Sequence, residues 1–403
     1  MCDLRILYLL QQFPYPPTNG VRWKPYNLLS YMAQRHSCDV LSFGDSDALD
    51  DARQWETTLP GLRVLGIFPT RSGASLYPLQ AISLLSGWRF PSALRWTTSA
   101  FATAVRQALG EASYDIVQID MINLIYYQNL VVNTPCIFSN NDAVSLTFQR
   151  RVNYEPSPFK RLIFSALARR LLKVERDRLS RFAGVHVVSE SEAAYLRQRA
   201  LLKNVSVIEV AADPHYFDLP PKVPDREVVL FTSGAFKIGY IREPLLAFIN
   251  RYWTGLRQSW GNLRWIIIGR GACSLVKPRL AQQDGIELWD WVDNYASFLQ
   301  RADVGVFLDA GGTGIKNRVM QALAAGKAVI GTSYALDGID IQDGQQGFIN
   351  SDLQVAYENI CNLLMSSDLR CRVGQAAREL VLHRHSQDHT GQRWEQLYQK
   401  VQA

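Results

Sequence analysis

The sequence predicts an α/β protein made of two parallel-sheet domains. Three observations carry that prediction. Short apolar runs of strand length alternate with longer helical patterns along the 403 residues. The alternation breaks once, in a proline-rich stretch over 213–226. It then restarts with a second set of apolar runs. Strands alternating with helices argue for a parallel sheet covered by helices, and a chain of this length suits two domains.

In order along the chain, "LRILYLL" (4–10) is a continuous apolar run, the pattern of a strand buried on both faces. A turn-rich loop, "QQFPYPPTNG" (11–20), follows it, and Tyr26, Leu29 and Ala33 then mark one face of a helix. Further strands are expected at 38–43, 63–68, 115–120, 135–139 and 184–189. Four prolines in "DPHYFDLPPKVPDR" stop regular structure, so 213–226 reads as a linker. After it come strands at 227–233, 263–269, 286–292, 303–308 and 327–333. The expected domains are therefore 1–212 and 227–385, facing across a cleft, with a last helix over 386–403 packing back on the first domain. In such sheets ligands sit beyond the carboxyl ends of the strands.

Composition narrows the function classes. Apolar residues make up 47% and charged residues 20%, as in a folded globular protein rather than a disordered one. The net charge of +6 suits a phosphorylated ligand, a nucleic acid or an anionic lipid surface and does not choose among them. The six cysteines form no C-x-x-C pair and have no histidine cluster beside them, so a zinc site or a disulfide framework is not expected. Asp3 and Arg5 interrupt the amino terminus before a strand-length run, which argues against a secretory leader. No run reaches the ~18 apolar residues a membrane span needs. The cytoplasm is the expected compartment.

The stretch richest in chemistry is "GGTGIKNRVMQALAAGKAVIGTS" (311–333). Gly311, Gly312 and Gly314 allow a tight turn and close approach of a ligand to the backbone. A helix is expected from Ile315, with Val319 and Leu323 facing the core. Its start would offer unpaired N–H groups and about half a positive charge, a ready anion site. Lys316 in the first turn would oppose the helix dipole unless a bound phosphate removed the conflict. The alternative reading is a solvated lysine at a helix start. The stretch is no P-loop, and "GRG" around Arg270 lacks the rest of a dinucleotide fingerprint.

These residues resemble the donor-binding signature of the GT-B glycosyltransferases, specifically the retaining family 4. The likeness continues through "ALDGIDIQDGQQGFI" (335–349), and the loop and helix over 6–43 and "VHVVSESEAAYL" (185–196) resemble the family's first domain. The resemblance implies two Rossmann-like domains and a nucleotide-diphosphate sugar held by the second. It also implies an acceptor held by the first: a saccharide or, if the basic helix over 159–182 meets a membrane, a lipid-linked one. It implies retention of configuration, no obligatory metal and no cofactor beyond the donor substrate. Carried over by position, Thr313, Gly314, Ile315 and Lys316 would hold the diphosphate. Gly20 would let the backbone approach the reacting centre. Val292 would meet the base, with Asp290 and Trp291 shaping its pocket, and Gln321 would reach a ribose hydroxyl. Arg270, Ser233 and Gly234 complete the donor side.

The sequence also departs from the family. Two glutamates usual in the motif are here Thr313 and Gln321. An Arg and a Lys usual after the first strand of the second domain are Gly234 and Gly239, with Lys237 and Arg242 as nearby cations. The usual histidine of the first domain is missing, and "FSNNDAVS" (138–145) offers Asn140, Asn141 and Asp142 instead. Lys316, Asn140 and Asp142 are the candidate catalytic residues, although Asn and Asp also favour plain turns.

Residues 159–182 hold eight basic and two acidic residues around Leu162, Ile163, Leu167, Leu171 and Val174. A basic amphipathic helix can lie on an anionic membrane, here the inner face of the plasma membrane, or simply pack on a core. "SLLSGWRFPSALRW" (83–96) adds interfacial residue types. The alternatives to a transferase are a nucleotide-sugar epimerase, which would want carboxylates in the cleft, and a non-catalytic sugar-binding protein. Nucleic-acid binding has little support.

Overall fold

The computed structural model describes residues 3–402 except 19, 46, 74, 75, 87–89, 156, 221, 223–226, 282 and 283. Trp88 and Arg89 of the interfacial stretch, and most of the second half of the expected linker, therefore lie outside the described residues. The chain divides into two compact units. The first holds 1–146, 166–211 and 387–403, and the second holds 147–165 and 212–386.

The first unit is a seven-stranded parallel sheet of order β3-β2-β1-β4-β5-β6-β7. Its strands are β1 (Arg5–Leu10), β2 (Ser37–Phe43), β3 (Leu62–Phe68), β4 (Ile116–Asp120), β5 (Cys136–Ser139), β6 (Gly184–Val187) and β7 (Val205–Val207). The chain leaves β1 toward one edge and returns at β4 to build toward the other, so the order reverses between them. The helix Gly20–Met32 buries Leu28, Leu29 and Met32. The last helix, Gln387–Gln402, adds Trp394, Leu397 and Tyr398 to the same core. The Tyr398 hydroxyl donates to Gln118 Oε1 at 2.7 Å and lies 3.0 Å from the Tyr8 hydroxyl, which meets the hydrogen-bonding need of two buried phenols.

The second unit is a six-stranded parallel sheet of order β10-β9-β8-β11-β12-β13. It comprises β8 (Val228–Ser233), β9 (Leu263–Ile268), β10 (Ile286–Trp289), β11 (Val304–Phe307), β12 (Ala328–Thr332) and β13 (Phe348–Asn350). Apolar side chains cover both faces: Trp253 and Trp265 pack on one, Val319 and Leu323 on the other. Both indoles are buried and bonded, Trp265 Nε1 to Thr232 Oγ1 and Trp253 Nε1 to Asp284 O, each at 2.9 Å.

Several expectations are corrected. Residues 147–165 belong with the second unit, because Thr147 and Arg150 bond to its Gly311–Lys316 loop. The first part of the expected linker is built structure: Pro214–Tyr216 is a 3-10 turn, and Tyr216 joins the second unit's core. The strand expected at 286–292 ends at Trp289, because the Asp290 carboxylate turns to accept from the backbone N–H groups of Gly271 and Cys273. The edge strands β7 and β13, of three residues each, were not expected. The helix Pro158–Leu179 buries Ala168, Leu171, Glu175 and Leu179, while Leu162 and Ile163 are exposed.

Candidate active site

In the second unit a pocket of about 400 Å³ lies beyond the carboxyl ends of β8, β9 and β10, beside the β8/β11 reversal of strand order. The sheet register brings its walls together. Ser233 ends β8, and Gly234 follows it. Gly269, just past β9, has φ +143°, and a Cβ there would sit 1.8 Å from Gly234 O, so only glycine allows the two turns to touch. Arg270 follows, and Asp290, Trp291 and Val292 leave β10 into the same space. Arg318 and Gln321 enter from the helix Asn317–Ala324.

Of the residues expected at the donor side, Ser233, Gly234, Arg270, Val292 and Gln321 thus share one pocket. Trp291 is 73% exposed and is not part of the core. The Ser233 hydroxyl lies 2.8 Å from the phenol of Tyr295, whose pKa burial pushes well up, so Tyr295 keeps its proton and can donate.

The glycine loop packs beside this pocket without lining it. Gly312 (φ +107°) and Gly314 (φ +65°) adopt the left-handed backbone that the turn requires. Lys316 is not in the first helical turn as expected: it is the extended residue preceding Asn317, with φ −95° and ψ 106°. Its buried amine curls back to donate to Gly314 O at 2.6 Å and Thr313 O at 3.1 Å. The clash with the helix dipole is thereby relieved by carbonyls of its own loop. The Thr313 and Thr147 hydroxyls lie 2.7 Å apart, and the Arg150 guanidinium bonds Gly312 O and pairs with Asp337 at 3.3 Å.

Neither cation expected to replace the absent Arg and Lys takes that place. Lys237 is exposed and outside the pocket lining. Arg242 is committed to Phe236 O at 2.9 Å and to Glu243 at 2.8 Å. The pocket's inner cation is Arg318, which pairs with buried Asp309 across the base of the glycine loop. Its Nε is buried and has no hydrogen-bond partner. A neutral helix position two residues past the lysine would have drawn no attention, and the basic residue there is the one signal the sequence holds.

In the first unit, Gly20 opens the helix Gly20–Met32, and the side-chain amide of Asn141 reaches Gly20 O at 3.5 Å. The Asn140 amide donates to Asp142 O, and the Oδ1 atoms of Asn140 and Asn141 are buried with no partner. Gly20 and Asn140–Asp142 thus gather where β5 ends. Beneath them is a buried polar group that sequence reading missed. Lys24 Nζ pairs with Asp120 at 2.8 Å, at the end of β4, and donates to Ser139 Oγ at 2.7 Å. Ser139 Oγ lies 3.2 Å from His186 Nδ1, and His186 Nε2 lies 2.8 Å from Ile208 O. A carbonyl only accepts, so Nε2 carries the proton and Nδ1 accepts from the serine. Burial, and then the Lys24 charge, pull the imidazole pKa well down and hold it neutral.

Residues 228–366 match the family model described as glycosyl transferases group 1. Over the whole chain the structure is similar to a glycosyltransferase from Rickettsia africae ESF-5, with TM-score 0.66, 14% identity, and 99% of this chain and 98% of that one covered. It is similar to Anabaena HepE in complex with UDP-glucose, with TM-score 0.66, 14% identity and coverage of 98% and 99%. It is also similar to the sucrose-phosphate synthase of Thermosynechococcus elongatus, with TM-score 0.69, 14% identity and coverage of 98% and 99%. Comparison with curated protein sequences finds no match. At such identities these likenesses speak for the fold.

Proposed function

We propose that this chain, a GT-B protein that carries a group 1 glycosyl transferase domain over residues 228–366, is a retaining, metal-independent hexosyltransferase. It moves a sugar from a nucleotide-diphosphate sugar to a saccharide or lipid-linked acceptor in glycan or glycolipid synthesis, in the cytoplasm. The observation that carries this reading is the carboxyl-end pocket of the second unit, where Ser233, Gly234, Arg270, Val292, Arg318 and Gln321 converge. The Val292 backbone is suited to a base edge and the Gln321 amide to a ribose hydroxyl. Breaking the sugar–phosphate bond leaves a diphosphate of growing negative charge. Preorganised N–H groups and cations lower that barrier most where water is excluded. Arg318 and the loop Thr313–Lys316 are the groups of this chain suited to that task. In the first unit, Asn140 and Asp142 are suited to sugar hydroxyls, and the two partnerless Oδ1 acceptors support a ligand that brings donors.

The test is a thermal-shift series with UDP-, GDP- and ADP-sugars, because a ligand of the native state raises the melting temperature with the logarithm of its excess over Kd. One nucleotide sugar stabilises the wild type, and Lys316→Ala weakens its affinity by about tenfold, the loss of one charge-assisted contact. Unchanged affinity in that variant would place the diphosphate elsewhere.

A second reading rests on a specific observation. Neither position 313 nor 321 carries a carboxylate, and the Lys316 amine is engaged inside its own loop. A protein so built could hold a sugar nucleotide without turning it over. Product analysis with saccharide and polyprenyl-linked acceptors separates transfer, epimerisation and simple binding.

A further inference from the structure

The second unit has another cavity, of about 830 Å³, at the opposite end of its sheet. Val228 opens β8, Asp303 directly precedes β11 and Lys327 directly precedes β12, and all three line it. It shares no lining residue with the donor pocket.

What marks this cavity is its charge. Lys327, Arg370 and Arg378 line it, and none is ion-paired with a carboxylate among the described residues. The Lys327 amine is buried and donates to Gln300 O at 3.1 Å. Arg370 donates to Leu363 O and Leu364 O, and Arg378 to Phe217 O at 2.7 Å. Carbonyl partners satisfy N–H groups but leave the positive charge uncompensated. The carboxylates at the cavity are mostly engaged: Asp303 pairs with Lys222 at 2.7 Å and Glu227 with Arg264 at 3.1 Å. Glu379 accepts from the Gln375 amide at 3.0 Å. The first turn of the helix Ser367–Arg384 also faces the cavity through Ser367, Arg370 and Cys371, and adds its positive end.

Burial of Lys327 outweighs the opposing effect of the nearby Asp303 charge, which lies outside ion-pair distance. Desolvation, the largest cause, pulls the amine down to about 8. An anion in the cavity would remove that penalty.

We propose that this cavity is a second anion site, which takes a phosphorylated small molecule against Lys327, Arg370 and Arg378. Its volume falls in the range of small-molecule sites. Two guanidinium forks and an ammonium match phosphate oxygens better than they match a carboxamide or a neutral sugar. The proposal stands whether or not the donor pocket takes a sugar nucleotide.

Cys371, an exposed thiol of the lining, supplies the readout, and Cys273, exposed elsewhere, is the internal control. Inorganic phosphate, pyrophosphate and glycerol 3-phosphate are titrated into the full chain at matched ionic strength. Alkylation of each cysteine is followed by peptide mass spectrometry. At least one of the three slows alkylation at Cys371 and not at Cys273, and Arg370→Gln/Arg378→Gln weakens that protection by about tenfold. Arg370 also caps the helix Leu353–Met365. If the double variant fails to fold, Arg378→Gln alone decides the matter, since that side chain is exposed, and a clear loss of protection is expected. Unprotected Cys371 with all three anions would overturn the proposal. So would protection that sodium chloride reproduces or that survives substitution.

Discussion

Arg318 lies two residues past Lys316, in the first turn of a helix, where a cation opposes the helix dipole. It is held there by Asp309, only 3% exposed and two residues past the end of β11. The pair therefore joins the two ends of the glycine loop, and breaking it would leave a buried carboxylate alone, a change that costs about 3–5 kcal/mol. Arg318→Lys keeps the charge but loses the fork. Nucleotide-sugar affinity is expected to fall by about tenfold in Arg318→Gln and by less in Arg318→Lys, as read by calorimetric titration. Equal affinities in all three proteins would remove Arg318 from the donor site. At this scale the sequence is legible where the family resemblance can be carried over at strand ends: Ser233, Gly234, Arg270 and Val292 are named that way, and the ends of β8, β9 and β10 bring them to one pocket. Arg318, Arg150 and Lys24 are not legible, because their partners Asp309, Asp337 and Asp120 lie across a loop or on another strand. Such pairings have no sequence period.

The helix Pro158–Leu179 shows what periodicity gives at the scale of an element and what it withholds. Its existence and basic character are plain in the sequence, but its buried side is not. The buried stripe is Ala168, Leu171, Glu175 and Leu179, and the large apolar residues Phe159 and Leu162 are 72% and 65% exposed. An alanine and a glutamate on the inner face defeat a reading that ranks residues by apolarity. The exposed pair lies beside Lys160 and Arg161, and we propose that this face meets an anionic membrane. Cosedimentation with anionic vesicles should fall sharply in Phe159→Ala/Leu162→Ala, and binding that is unchanged would leave the face to another role. Glu175 is the element's pH-sensitive group. It accepts from Ser145 N at 3.1 Å and from the Ser145 hydroxyl, and burial pushes it up from 4.5 to about 7. A carboxyl raised in the folded state is protonated in both states at low pH. Between about 4.5 and 7 only the unfolded chain ionises it, so its contribution to stability is full below that window and is lost across it. Glu175→Gln should flatten the decline of stability from pH 5 to 7 seen by denaturant titration, and a variant with the wild-type slope would assign that decline to other groups. The two strands that escaped sequence reading, Val205–Val207 and Phe348–Asn350, are too short to show a period and lie at sheet edges.

For the molecule as a whole, two units were legible because the strand–helix alternation restarts, and the return of the last helix to the first unit was expected; the placement of 147–165 with the second unit was not. The first unit draws its last helix from the far end of the chain, after the whole sheet of the second. That helix supplies Trp394, Leu397 and Tyr398 to the first unit's core, at 3%, 6% and 0% exposure. The Trp394 ring lies 4.3 Å from the His186 ring. Full burial of each such side chain stabilises by about 2 kcal/mol. Against the 5–15 kcal/mol typical of a domain, that sum is a large fraction. Without Tyr398, the Tyr8 hydroxyl and Gln118 Oε1 also lose the partner they share, and a buried polar group left unmade costs about 1–3 kcal/mol more. A chain ending at Ser386 should therefore lose the first unit while the second, whose strands and cores lie within 212–386, remains folded. Hydrogen exchange resolves the two outcomes directly. Amides of β1, β4 and β5 should exchange near the unfolded rate in the shortened chain, and those of β8, β9 and β11 should keep their protection. If both sheets stay protected, the helix is an ornament of the first unit; if both are lost, the second unit depends on the first to fold.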